Sequence, residues 1–156
     1  MAEPLAIELI KVGPAAFSAT AGSGGEVTVD GSPEIGGEGR GMRPMEMLLT
    51  SLASCAAMDV VHILRKQRQP LEGLTIAVEG KRTDAVPARF EAIHLRFVAT
   101  GEVAANKLER AVRLGVEKYC SVGASLAPDI VVTWEATRAG PRFPTSGTGQ
   151  AAEDPC

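Results

Sequence analysis

The chain has 156 residues, 45% of them hydrophobic, which is one ordinary domain's worth of sequence with enough apolar material to bury a core without covalent staples. Sixteen basic residues against nineteen acidic ones give a net charge of −3, the signs are mixed along the chain, and aromatic residues make up only 4%, so a nucleic-acid partner is not expected. The N-terminus carries no basic region leading into an apolar core, and Glu46, Asp59 and His62 interrupt the longest apolar stretch, so a soluble, cytoplasmic protein without a membrane partner is expected.

Near-alternation over Leu5 to Lys11, followed by short extended runs at Phe17 to Thr20 and Glu26 to Asp30, predicts an antiparallel meander broken by Gly22-Ser23-Gly24-Gly25. The next segment, Ile35-Gly36-Gly37-Glu38-Gly39-Arg40-Gly41, reads as a mobile connection. Its glycine spacing fits neither a phosphate-binding loop nor a dinucleotide fingerprint.

Pro44 opens the longest helix candidate, which runs to about Gln69 and is stopped by Pro70. From Met45 to Leu64 it is apolar almost all round, which places it at the centre of the structure or in a subunit interface, and therefore points to a dimer. Two strands, Leu74 to Thr83 and Arg89 to Ala99, read as a hairpin. From Ala104 to Tyr119 the residues Leu108, Val112, Gly115, Val116 and Tyr119 recur at helical spacing, with Cys120 at the end. A strand from Ile130 to Thr137 follows, and the stretch from Pro141 to Cys156 is polar and aperiodic. The order of elements is α+β, with one domain over 1–138 and a tail over 139–156.

Cys55 and Cys120 are the chemically suggestive residues, sixty-five positions apart. In a reducing compartment such a pair is either redox-active or simply buried, since free cysteine also behaves as a small apolar core residue. Lys118 beside Cys120 is a candidate for favouring a thiolate. Asp59 and His62 lie four and seven residues after Cys55 on one helical face, but two turns separate His62 from the thiol, so His62 is read as hydrogen-bonding in the core or at its edge. Cys55, Cys120, His62 and His94 contain no local ligand pair, so neither a metal nor any other cofactor is expected, and Cys156 is read as incidental.

The run from Gly41 to Cys55, GMRPMEMLLTSLASC, read with Glu117-Lys118-Tyr119-Cys120-Ser121-Val122, resembles the OsmC/Ohr family of osmotically induced and organic-hydroperoxide-resistance proteins, in its OsmC-like branch. The resemblance spans roughly Leu5 to Thr137 and implies an OsmC-like fold: N-terminal antiparallel strands, a long buried central helix, a hairpin, a second helix and a final strand, in an intertwined homodimer. It further implies stress-protective reduction of hydroperoxides, with Cys55 as the attacking thiol, Cys120 as the resolving one and an external dithiol as reductant. The apolar surroundings of Cys55 favour organic hydroperoxides over hydrogen peroxide.

Two positions depart from the family's peroxidases. Their N-terminal-strand arginine has no counterpart in Ala21-Gly22-Ser23-Gly24-Gly25, and the first arginine of the chain is Arg40, so Arg40 or Arg43 is the available substitute cation. The glutamate that directly follows the helix-opening proline is replaced by Met45, with Glu46 one position later, a slip that rotates the carboxylate by about 100°. Catalytic candidates are therefore Cys55, Cys120, Glu46 and Arg43. The alternative is a non-catalytic binding protein that keeps the fold and holds a small apolar or thiol-containing ligand.

Overall fold

The computed structural model describes residues 2–140. The expectations for 141–156, Cys156 included, lie outside the described residues. Two three-stranded sheets and one long helix organise the chain. The first sheet is the expected meander, with β1 (Ile7–Lys11), β2 (Phe17–Ala21) and β3 (Glu26–Val29) all antiparallel. The second contains β4 (Gly73–Arg82), β5 (Phe90–Thr100) and β6 (Val131–Arg138) in the order β4-β5-β6. β4 and β5 form the expected antiparallel hairpin, whereas β6 lies parallel to β5, reached by a helical crossover.

Alternation explains the second sheet. Ile93, Leu95, Phe97 and Ala99 of β5 are buried on one face. His94, Arg96 and their register partners Thr133 and Glu135 line the other, where His94 bonds Thr133 and Arg96 pairs with Glu135. The sheet's apolar face receives α1 (Pro44–Lys66), whose Leu52, Ala56, Val60 and Leu64 recur every four residues and are completely inaccessible. Pro44 occupies the first turn, Glu46 Oε2 accepts a hydrogen bond from the Arg43 backbone N–H at 2.9 Å, and Arg65 and Lys66 stand at the C-terminal end, so the start and stop signals agree with the physics of helix termini.

At 23 residues α1 is long and apolar enough, by length and composition alone, to cross a bilayer, which corrects the reading that Glu46, Asp59 and His62 leave the apolar stretch short of a span. In the fold it packs instead against β4 and the crossover helix, α2 (Ala105–Leu114). Only 28% of its most apolar window is buried. The opposite face, with Ala57, Met58 and Val61, borders an open groove against Leu74 and Ile76 of β4. Every residue of β1 is exposed as well, including Ile7, Leu9 and Ile10.

Two local expectations are corrected. The glycine-rich connection is held in place rather than mobile: Asp30, 2% exposed, accepts backbone N–H bonds from Gly31 at 2.8 Å, Glu38 at 2.9 Å and Arg40 at 3.0 Å, gathering ten residues of chain around one carboxylate. Within this loop Gly37 lies so near the Gly31 carbonyl that a Cβ would come within 1.9 Å of its oxygen. The second helix does not run to Tyr119 in one register either. It is α-helical to Leu114, passes through a π-helical turn at Gly115–Tyr119, and after Cys120 forms the short α3 (Ser121–Ala124).

Candidate thiol site

The two remote cysteines come together. Cys55 sits half-buried on α1 beside the buried Ala56, and Cys120 arrives at the end of the π turn with 4% of its surface exposed. The Cys120 thiol donates towards the Leu52 carbonyl of α1 at 3.8 Å and accepts the Gly123 backbone N–H at 3.2 Å, capping α3. Cys55, three residues after Leu52 on α1, packs against the same core cluster and is the neighbouring thiol that acts on Cys120. Both thiols are free.

Burial pushes the Cys120 thiol above its ordinary range, the Gly123 N–H opposes that shift, and the neighbouring Cys55 adds to it. None of the groups acting on Cys120 is a cation. Lys118 does not serve as one: its ammonium lies 5.4 Å from the centre of the Tyr119 ring. On balance the surroundings of Cys120 therefore do not favour its thiolate form.

Arg43 and Glu46 occupy a different place. α1 is unbroken, so the nine residues from Glu46 to Cys55 amount to about 13 Å of rise and half a rotation, which sets the two side chains on opposite faces. Both Arg43 and Glu46 border a cavity of about 820 Å³ between the two sheets and the start of α1, with Phe17, Ile35, Met45, Leu49 and Phe90 among its apolar walls. Neither cysteine lines it. Glu34 at the same cavity is lowered below the usual carboxylate range, first by the Ser32 hydroxyl and also by the charge of Arg43. Arg40 is committed elsewhere, donating to the Val12 carbonyl at 2.6 Å and approaching Glu38 at 4.0 Å. Within one chain, no substitute cation reaches the thiols from either of the arginines expected to supply it.

His62 is exposed on the groove between α1 and β4, which corrects the expectation of a histidine hydrogen-bonded in the core or at its edge. Among the described residues no group of three or more His, Cys, Asp or Glu side chains is arranged to hold a metal. The sequence reading missed Asp30, Gly115 and Gly123. For Asp30 the available signal was an aspartate standing directly ahead of a glycine-rich turn, where its oxygens can take up backbone N–H groups. For the glycines no local signal exists, since their value lies in what packs against them.

The profile of the OsmC-like protein family matches residues 37–135, which include both cysteines, α1 and the crossover. The chain belongs to the OsmC-like protein family. Protein YhfA of Escherichia coli K12 is similar, 35% identical over 118 residues that make up 75% of this chain and 85% of YhfA. In the OsmC-like fold, a hypothetical protein from Aquifex aeolicus VF5 superposes with a TM-score of 0.75 at 36% identity, covering 89% of this chain and all of that one. An organic hydroperoxide resistance protein OsmC from Legionella pneumophila superposes with a TM-score of 0.63 over 86% of this chain and 97% of its own, at 17% identity, a likeness of fold. The α+β architecture expected from the sequence is therefore that of the OsmC-like family.

Proposed function

We propose that this OsmC-like protein reduces organic hydroperoxides with Cys55 as the attacking thiol and Cys120 as the resolving one, in protection against oxidative or osmotic stress. The observation that carries the reading is the placement of two free thiols in one neighbourhood: Cys120, at the end of the crossover, reaches the Leu52 carbonyl of α1, and Cys55 of α1 packs against the same cluster. The more accessible Cys55 attacks the terminal oxygen of the hydroperoxide as a thiolate. The O–O bond breaks, the alkoxide leaves and takes a proton to become the alcohol, and Cys55 becomes a sulfenic acid. Cys120 then attacks that sulfur, water leaves, and the disulfide forms. Two electrons have passed from the thiol pair to the peroxide, and an external dithiol returns them by exchange. The naming of the Legionella fold neighbour as an organic hydroperoxide resistance protein agrees with this chemistry.

The active form on this reading is a homodimer. The uncovered side of α1 and the exposed apolar residues of β1 are the surfaces a second copy would cover. Pairing of two copies is also the route by which Arg43 and Glu46 of one chain meet the thiols of the other, since within a chain they lie on opposite sides of α1.

Titrating reduced protein with cumene hydroperoxide tests the reading. The wild type is expected to lose Cys55 and Cys120 together as a disulfide, Cys120→Ser to accumulate a dimedone-reactive sulfenic acid at Cys55, and Cys55→Ser to keep Cys120 reduced. Retention of both thiols in the wild type would overturn it. That outcome would favour a second reading, a binding protein that takes an apolar ligand into the 820 Å³ cavity away from the cysteines, which the lack of a cation at the thiols supports.

A further inference from the structure

The second helix carries a register change immediately before Cys120. Its inward positions follow α spacing through Leu108, Ala111, Val112 and Gly115, all buried. Continued α-helix would bring Tyr119, four residues after Gly115, to the next inward position. It would turn Cys120, five residues on, about 140° away from the direction of Gly115. The π turn closes its hydrogen-bonded ring over five residues instead of four. Accordingly Tyr119 is 50% exposed and Cys120 is 4% exposed, the reverse of the α pattern.

Gly115 seats that turn on α1. A Cβ there would meet the Ala56 carbonyl oxygen at 3.0 Å and Val60 Cγ2 at 3.1 Å, both on the segment of α1 that follows Cys55. Gly123 performs a similar role on the far side of the thiol, where a Cβ would lie 3.4 Å from Cys120 Sγ. We infer that the π turn, set against α1 by the missing side chain of Gly115, fixes the approach of the two sulfurs, and that Gly115 is a positioning residue for the Cys55–Cys120 pair. The inference rests on the pairing of these cysteines in the function proposed above. Its physical content is effective concentration: disulfide formation within a chain depends steeply on how closely the folded state holds the two thiols in attacking geometry.

The test uses glutathione redox buffers with no peroxide present. The Cys55–Cys120 disulfide is quantified by alkylation and peptide mass spectrometry in the full chain, beside thermal melts of each reduced protein. Gly115→Ala is expected to fold and to lower the equilibrium constant for the disulfide about tenfold, a shift of about 30 mV in its potential. Adding Val60→Ala, which removes the methyl nearest the new Cβ, is expected to recover part of that loss although it lowers the melting temperature further. A residue acting only on overall stability would move the melts and leave the thiol equilibrium alone.

The double variant Tyr119→Cys, Cys120→Ser decides the matter even if Gly115→Ala does not fold, because position 119 is half-exposed. In the π register its thiol forms no disulfide with Cys55. A wild-type equilibrium in Gly115→Ala, pairing of the position-119 thiol as readily as Cys120, or a wild type that forms no Cys55–Cys120 disulfide would each overturn the inference. A wild type that pairs in glutathione but keeps its thiols against cumene hydroperoxide would overturn the peroxidase reading and leave the positioning role standing.

Discussion

Asp30 does for the loop what no residue in the glycine-rich stretch could do for itself. Three backbone N–H groups converge on one buried carboxylate, and the Arg40 and Glu38 bonds, followed by that of Gly31 and the charge of Arg40, hold its pKa below 3.8 against the opposing effect of burial. A carboxylate lowered by folding adds stability above its unfolded value, here about 3.8, and that contribution is lost as pH falls through the lower folded value. Asp30→Asn keeps one acceptor oxygen and discards the charge. We expect it to melt several degrees lower than the wild type at pH 7, with the gap closing towards pH 3. A gap independent of pH would place the effect in shape rather than ionisation.

At the level of elements, legibility followed the range of the forces involved. The start of α1 was readable because Pro44 acts locally, and its buried stripe because apolar residues recur at helical spacing, whereas the helix ends at Lys66, short of the Gln69 expected from Pro70, where Arg68 takes a positive φ of 53°. The hairpin and the meander followed from alternation. Two features were not readable: the parallel placement of β6 beside β5, and the π turn, since both depend on what α1 offers as a packing surface. Tyr119 shows the cost of reading periodicity without that surface, because its spacing from Gly115 is helical while its side chain is outside.

The candidate site was legible in part for the same reason. The motif carried both cysteines, yet Arg43 and Glu46 lie against a cavity on the other side of the helix. Glu46 has a structural duty there, accepting the Arg43 backbone N–H at the start of α1. Replacement by alanine is expected to cost about 1 kcal/mol in unfolding free energy, whereas glutamine, which keeps an acceptor, should cost a few tenths. If Glu46→Gln retains stability but loses hydroperoxide turnover, its charge acts on the thiols of a second copy. If only Glu46→Ala is impaired, its part is confined to the helix start.

For the molecule as a whole, the uncovered side of α1 is the surface on which the proposed homodimer depends. Met58 is 71% exposed on that face, beside Ala57, Val61 and the half-buried Leu74 and Ile76 of β4. A helix of this length and composition left open to water is strongly unfavourable, and a stable dimer would have to remove on the order of 1,000 Å² or more from solvent. Sedimentation equilibrium should therefore report two chains per particle for the wild type, and Met58→Glu, which puts a charge into the contact, should shift the population towards single chains. A wild type that sediments as a monomer would remove the dimer from the proposal.

Because Cys55 and Cys120 are sixty-five positions apart, the proposed bond between them would tie α1 to the far end of the crossover and close a loop that contains the hairpin. Closing a loop of that size restricts the denatured chain by an amount worth about 4 kcal/mol in the loop-entropy treatment. The oxidised protein should accordingly resist urea to a higher midpoint than the reduced one, and each return of electrons from the dithiol donor would soften the whole domain. Resistance to denaturant would then serve as a gauge of how much oxidant the protein has met.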